Sequence, residues 1–217
     1  MGANRRMFAN ILTRMDDKFA ERYLRFEKDL NSIATMLDFK SARDENNLIS
    51  LFQQAGKAVD REFFRELSIA VATDYCEQCY GEFGVGAVIS QDQRRVIKKI
   101  MQDLIDGKRQ PNLLRESEEV IAADFQNGEY QAKRSYADFY MLRDGVEYFF
   151  ELTTVRPDMD FWVNSKTKLL EWVARRKKNI KVFLAFPYNP YHPQPYDRFT
   201  LQNLLKEGED FLVGKDY

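Results

Sequence analysis

The chain has 217 residues, of which 44% are apolar and 14% aromatic, enough for a packed core and unlike a disordered protein. Its formal net charge is −1, so no overall basic charge indicates a nucleic-acid partner, although a near-neutral total can conceal a strong local field. No apolar run reaches the roughly eighteen residues that a membrane helix needs, and no signal-peptide pattern opens the chain, so we expect a cytoplasmic protein without membrane contact.

Residues 1–107 are predicted to form a mainly helical N-terminal region. Apolar residues recur at three- and four-residue spacing from Met7 to Phe26, and a further helix is predicted from about Asp60 to Tyr80. The glycines between Gly81 and Gly86 complete no phosphate-binding pattern, which favours a linker. A helix over Gln91–Asp106 is then predicted, with Ser90 as its N-cap and Gly107 as its end.

Cys76 and Cys79 fall near the end of the helix predicted to reach Tyr80. A four-ligand zinc site would need two more cysteines or histidines, and the one histidine, His192, lies in a proline-rich loop. Two part-buried thiols are therefore favoured over zinc or redox use. A single histidine also leaves little room for histidine-based acid–base chemistry.

Residues 108–217 are predicted to form an α/β domain with a mixed sheet, and we expect this domain and the first region to form one compact unit. Asp144-Gly145, flanked by runs rich in Tyr, Phe, Val and Thr, is a strong hairpin signal. The order helix, hairpin, helix, strand favours this fold class. The predicted elements are a helix over about Leu113–Phe125, strands over Arg134–Leu142 and Val146–Val155, a helix over about Asn164–Lys178, a strand over Lys181–Phe186 and a helical stretch over Leu201–Glu207.

The predicted hairpin brings two acids together. With Asp144 and Gly145 as the two turn residues, opposite residues have numbers that sum to 289, which places Asp138 across from Glu151 on the same sheet face. Two carboxylates about 5 Å apart repel by roughly 3 kcal/mol at an effective dielectric near 20. A divalent cation between them would reverse the sign of that interaction. The alternative is a pair of exposed acids, or one acid neutralised by Arg134 or a helix lysine.

Here the chain resembles a known superfamily of nucleases. Ala137-Asp138 and Glu151-Leu152-Thr153 match the PD-(D/E)xK signature of one acid on a strand and an acid-x-lysine motif on the paired strand. The longer string Glu147–Asp158, followed by Lys168–Trp172, resembles the TdeIII-like group of type II restriction endonucleases. The resemblance covers roughly residues 110–185.

The resemblance implies a mixed sheet with a central β-hairpin flanked by helices. It also implies Mg²⁺-dependent hydrolysis of both strands of double-stranded DNA by a homodimer, with Mn²⁺ as a possible substitute. Asp138, Glu151 and the carbonyl of Leu152 would be the metal ligands, which suits a cation held by one or two carboxylates, phosphate and water. Glu116, on the helix before the hairpin, is the expected third acidic ligand, although it could equally be helix surface.

One position departs from the signature: Thr153 stands where the family has its lysine. A lysine from the next helix could supply the missing charge, with Lys166 and Lys168 as the candidates. Otherwise a second metal compensates, Thr153 itself orients the water, or the chain cuts weakly. The rival interpretation is a non-enzymatic DNA-binding protein on a nuclease-like fold.

A basic segment marks the expected DNA-binding surface. Residues 161–186 contain seven basic residues against one acid, a local charge of +6. Arg175, Arg176, Lys177 and Lys178 are predicted to contact backbone phosphates, unless this is a solvated helix face. In the following loop, the side chains able to read base edges are Asn189, Gln194 and Arg198, unless that loop is only a rigid connector.

Overall fold

A computed structural model describes residues 21, 24, 61–123, 129–153, 159–187, 196 and 204–214, without the side chains of 129–134 and 159. The chain divides into two compact units, Met1–Tyr75 and Cys76–Tyr217. In the first unit, helix α1 spans Arg61–Ala72 and buries Phe63 and Ala70, seven residues apart on one helical face. Of the helices predicted between Met7 and Phe26, Glu21 and Leu24 are helical and the rest lies outside the described residues.

The second unit is built on a five-stranded sheet with spatial order β1-β2-β3-β4-β5. Pairs β1–β2 and β2–β3 are antiparallel, whereas β3–β4 and β4–β5 are parallel, so the predicted mixed α/β sheet is confirmed. The strands are β1 (Gln78–Ser90), β2 (Glu129–Arg143), β3 (Val146–Leu152), β4 (Lys181–Phe186) and β5 (Phe211–Val213), and the helices are α2 (Gln91–Ile105), α3 (Leu113–Ala122) and α4 (Met159–Arg176).

The β2–β3 hairpin forms as predicted. Asp144 and Gly145 both have positive φ, 51° and 71°, which is the requirement of a two-residue type I′ turn. The register follows the predicted sum, from Arg143 opposite Val146 to Phe139 opposite Phe150. The turn chemistry therefore determines which side chains share a face of the sheet.

Local signals also set the ends of the helices. Ser90 and Gln93 form a reciprocal capping box at the start of α2, and Gly107, with φ 67°, follows its end. Helix α3 ends at Ala122, three residues before the predicted limit. Helix α4 begins at Met159, five residues before the predicted start, and ends at Arg176.

Helix α4 packs on the sheet and forms the centre of the core. Trp162, Leu169 and Trp172 are fully buried, and they belong to one cluster with Phe149 of β3 and Leu184 of β4. Because α4 connects two parallel neighbouring strands, it is the crossover helix of a β–α–β unit. Within the described residues, no helix is long and apolar enough to cross a membrane.

Strand β1 corrects the largest error in the sequence prediction. The supposed linker from Gly81 to Gly86 lies inside this strand, and the helix expected to reach Tyr80 ends at Ala72. Cys79 is accordingly on β1 and Cys76 in the bend before it, so neither cysteine is helical. Glycine weakens an isolated strand, but fifteen-residue β2 supplies a long partner with which β1 pairs.

The C-terminal segment is also corrected. Residues 204–207 form a turn and a single bridge instead of the predicted helix, while 201–203 lie outside the described residues. The short strand β5 follows and adds to the sheet beside β4. Three residues are too few for a sequence periodicity to reveal.

Candidate active site

Three contacts join β3 to α4 in regular succession. Glu147 pairs with Arg176, the ring of Phe149 lies 6.2 Å from that of Trp172, and Glu151 accepts a hydrogen bond from Lys168. The strand residues are two apart and the helix residues four apart. Two strand residues advance about 6.6 Å and four helix residues about 6.0 Å. Because these distances are nearly equal, each contact residue of α4, which runs antiparallel to β3, lies opposite its partner on the strand.

The pair Glu151–Lys168 is at the C-terminal end of β3. The Nζ of Lys168 lies 2.9 Å from Oε1 of Glu151, and the two side chains are 29% and 12% exposed. The ammonium also lies 5.2 Å from the ring centroid of Trp172, close enough for a cation–π contact. The ammonium of Lys168 thus reaches Glu151 from the neighbouring helix, and the side chain of Lys168 remains partly exposed to solvent.

Asp138 lies beside this pair. The paired register of β2 and β3 ends at Phe139–Phe150, and one further step of it would place Asp138 level with Glu151. The main-chain N–H of Leu152 donates to Oδ2 of Asp138 at 2.7 Å, which fixes the carboxylate against β3. Tyr140 and Phe149 share the face toward α4, and strand alternation assigns Asp138 and Glu151 to that face as well.

Thr153 does not take the place of the absent lysine as a charged group. Its main-chain N–H donates to the carbonyl of Ala185 at 3.0 Å, so it continues the pairing of β3 with β4. The residue is buried, in contrast to the partly exposed Lys168. A positive charge beside Glu151 is thus carried by Lys168 of α4.

A further acid lies level with Asp138 on the edge strand. Gly81 pairs with Phe139 and Phe83 with Ala137, so Glu82 lies across from Asp138. Glu82 has φ 50°, a left-handed conformation that is uncommon for a residue with a side chain. Glu82 is thus an acid on the strand next to Asp138, and it could not be found from the sequence because β1 was not predicted.

Lys166 and Glu116 lie elsewhere, in a fully buried triad with Asp210. The Nζ of Lys166 lies 2.5 Å from Oε2 of Glu116 and donates to Oδ1 of Asp210, and none of the three side chains is exposed. Lys166 is about 200° around the helix from Lys168, so it points away from Glu151. The structure thus brings Lys168, and not Lys166, to the predicted site.

Both acids of the triad also bind main-chain groups. Glu116 accepts from the N–H of Asn112, which itself caps α3, and Asp210 accepts from the N–H of Lys206. Burial raises the pKa of Asp210 above its usual range, even though Lys166 acts in the opposite direction. No local sequence pattern indicated Asp210, because it meets Lys166 only through the tertiary fold.

The basic residues at the end of α4 differ in their surroundings. The side chain of Arg175 is 2% exposed and donates to the carbonyl of Gly86 at 2.8 Å and to Glu171 at 3.1 Å. Arg176 and Lys178 are more exposed, and both pair with Glu147. Lys177, with φ 54°, follows the last helical residue. Arg175 thus holds the helix to β1, whereas the side chains of Arg176 and Lys178 are open to solvent.

Glu147 is the buried anchor of this group. Burial alone would raise its pKa, but hydrogen bonds from Arg176 and Lys178 outweigh burial, and the pKa is lowered. The pKa of Tyr140 is raised by burial and by the adjacent Glu147 charge. Both pKa shifts are those expected when the Glu147 carboxylate is ionised and paired with Arg176 and Lys178.

Asn189, Gln194 and Arg198, predicted to read bases, lie outside the described residues. Tyr196 in the same segment is described. It is buried, with its ring 4.9 Å from that of Phe186. This one point of the proline-rich segment therefore packs into the core of the second unit.

The donor set at Asp138 and Glu151 suits a hard divalent cation. Two carboxylates and the Leu152 carbonyl are oxygen donors, and Mg²⁺ commonly uses one or two carboxylates and fills the rest of its shell with water and phosphate. In the part of the chain that the structure describes, no group of three or more His, Cys, Asp or Glu side chains is close enough to hold a metal. The fit is therefore to a site with few protein ligands.

The candidate site thus consists of a mixed sheet whose central hairpin carries two acids, with a lysine at one of them. Comparison with known protein families identifies the family of the chain. The model of the family described as type II restriction endonuclease, HinfI, matches residues 60–217, and the chain belongs to that family.

A similar protein of known type supports this family assignment. The type II restriction enzyme MjaII of Methanocaldococcus jannaschii is 33% identical over 129 residues, which cover 55% of this chain and 35% of the relative. The matched part thus spans about a third of the length of that protein. No solved structure gives a significant match.

Proposed function

We propose that the protein is a type II restriction endonuclease, which hydrolyses phosphodiester bonds at specific sites in double-stranded DNA. Family membership supports the class of activity. The observation that carries the site assignment is the 2.9 Å contact of Lys168 with Glu151 beside Asp138. In this proposal the site is of the PD-(D/E)xK type, and Lys168 replaces the lysine absent at Thr153.

Mg²⁺ is the proposed cofactor, replaceable by Mn²⁺, and its protein ligands are Asp138, Glu151 and the Leu152 carbonyl. When bound, such a cation polarises the scissile phosphate and makes a bound water a stronger nucleophile. The N–H of Leu152 holds the Asp138 carboxylate against β3. Asp138, Glu151 and Lys168 together carry a formal charge of about −1, which favours a cation.

Lys168 has a role distinct from that of the acids. Its ammonium is directed by Glu151 and lies over the Trp172 ring, so its position is set before DNA arrives. A fixed positive charge stabilises the negative charge that develops on the phosphate during attack. Partial exposure allows the substrate phosphate to approach it.

DNA contacts are proposed for Arg176, Lys177 and Lys178, which are the last residue of α4 and the two residues after it. The side chains of Arg176 and Lys178 are open to solvent. Arg175 is left out because its side chain is buried against Gly86 and Glu171. Base recognition by the segment containing Asn189, Gln194 and Arg198 stays a prediction. A homodimer is proposed because one site cuts one strand, and a two-fold pair of sites matches a palindromic target.

Cleavage of plasmid DNA tests the proposal. With Mg²⁺ or Mn²⁺ the protein should give discrete fragments, and EDTA should prevent them. Asp138→Asn and Glu151→Gln should each abolish cleavage. Glu171→Gln is the matched control, because this acid lies on α4 and pairs with Arg175 instead of Lys168. DNA binding without cleavage under any divalent metal and on varied DNA would favour the non-enzymatic DNA-binding protein instead.

A further inference from the structure

A buried charged triad lies behind the candidate site. Lys166, Glu116 and Asp210 are all fully buried, and they join α4 to α3 and to the segment before β5. Buried charges are costly unless they are paired, and a pair of acids on one lysine leaves a formal charge of about −1. Burial of this charged cluster therefore needs an explanation other than the packing of apolar side chains.

The triad is at the same level of the sheet as Glu151. The main-chain carbonyl of Asp210 accepts from the N–H of Leu184 at 2.9 Å, and Leu184 pairs with Glu151 in the parallel register. Lys166 is therefore linked through Asp210 to the part of the sheet that contains Glu151, which Lys168, two residues later, contacts. The two lysines lie about 3 Å apart along the helix axis and on opposite sides of it.

We infer that the triad of Lys166, Glu116 and Asp210 is a positioning device that sets the rotation of α4 and thereby holds Lys168 at Glu151. Lys168 has a long, flexible side chain, so its ammonium is only as well placed as the backbone that carries it. Trp172 fixes the helix one turn later, and Lys166 fixes it one half-turn earlier on the other side. Lys166 is a positioning residue in this inference, with no contact to DNA.

The inference uses the proposed function only to name the reaction that Lys168 serves. A double-substitution cycle tests it without any cleavage assay. Lys168→Met, Glu151→Gln and the double variant are compared by melting temperature, and in the native background the two shifts should not add, because the side chains interact. The same cycle is then measured in a variant with a neutral triad.

The neutral variant is Lys166→Met/Glu116→Gln/Asp210→Asn. Its amide oxygens can still accept from the N–H groups of Asn112 and Lys206, and it leaves no buried charge unpaired, so we expect it to fold. In this background, at least half of the non-additivity between positions 168 and 151 should be lost. Ile100→Ala, in the core on α2, is the control: it lowers the melting temperature and should leave the non-additivity intact.

An unchanged non-additivity in the folded neutral variant would overturn the inference, since packing around Trp172 would then suffice to place Lys168. Failure of the neutral variant to fold would also overturn it, because the triad would then be a requirement of the fold itself. In single-turnover cleavage, the neutral variant should lose rate by about the same factor as Lys168→Met, with DNA affinity unchanged. Absence of cleavage by the native protein would reject the proposed function. The double-substitution cycle measured by melting temperature would then still decide whether the triad positions Lys168.

Discussion

Lys168 reaches Glu151 from a helix, whereas a lysine at position 153 would start from the same strand as the acid. A strand lysine is positioned by the backbone of the motif itself. The helix lysine depends on the packing of α4 against β3, which Trp172 provides one turn away. The position of the ammonium is therefore a property of the tertiary fold.

Replacing Lys168 by Ala should lower the single-turnover cleavage rate by more than tenfold, with little loss of DNA affinity. The reason is that the ammonium acts on charge formed during the reaction. Lys178→Ala should do the reverse, weakening binding and reducing its dependence on salt. Rapid-quench kinetics and binding titrations would measure both effects, and a Lys168→Ala enzyme with an undiminished rate would contradict the assignment.

The sequence left Lys166 and Lys168 as equal candidates because both are on the helix after the motif. What separates them is which side of α4 faces the sheet. A signal was available, since Lys168 and Trp172 are four residues apart and share a helical face. The predicted third ligand Glu116 had no such signal, because its partners Lys166 and Asp210 come from distant parts of the chain.

Glu147 gives the protein a defined acid sensitivity. Its pKa is lowered in the folded state, so its contribution to stability is complete above its ordinary value of 4.5 and is lost as pH falls through the lowered value. Glu147→Gln should therefore be less stable than the native protein at pH 7, and the difference should shrink toward pH 3. Denaturant unfolding at several pH values measures this, and a pH-independent difference would show that the charge of Glu147 contributes nothing.

Among the elements, the edge strand β1 and helix α4 approach each other closely at Gly86. This glycine has φ 124°, and an added Cβ would lie 3.6 Å from the Cβ of Arg175. Arg175 also donates to the Gly86 carbonyl. That distance is an ordinary van der Waals contact, so the glycine is needed for its backbone conformation and not for space against the helix.

Gly86→Ala should destabilise the protein by about 1–3 kcal/mol, the usual cost of an unfavourable backbone conformation. Gly84→Ala is the matched control, because an added Cβ there would meet only the Tyr136 ring, at 3.7 Å. Urea unfolding of both variants makes the comparison. Equal stability losses at the two positions would contradict this account of Gly86.

The elements with local signals were predictable, and those that depend on partners were not. The Asp144-Gly145 turn specified the hairpin and hence the level of Asp138 with Glu151. Strand β1 could not be read from its own residues, because its glycines are poor strand formers and its partner β2 follows only after two helices. The acid Glu82 was missed for the same reason.

For the molecule as a whole, the homodimer stays a prediction that cleavage products can test. The native protein would be dissociated and reassembled with an excess of Glu151→Gln chains. Most dimers that retain activity would then contain one native site and one inactive site. Such dimers should nick circular plasmid DNA and give few linear products, because each site cuts one strand. Linear products in proportion to the native chains alone would indicate that a single chain cuts both strands.

The matched spacing of β3 and α4 also limits how the chain can change in length. Three successive contacts remain aligned because the two repeats differ by only about 0.6 Å per step. One residue inserted between Lys168 and Trp172 would rotate everything on one side of it by about 100°, so either Lys168 or the pair of Trp172 and Arg176 would leave the sheet. Substitutions on this helix can be tolerated one by one, but we expect relatives to keep the number of residues between Lys168 and Arg176 constant.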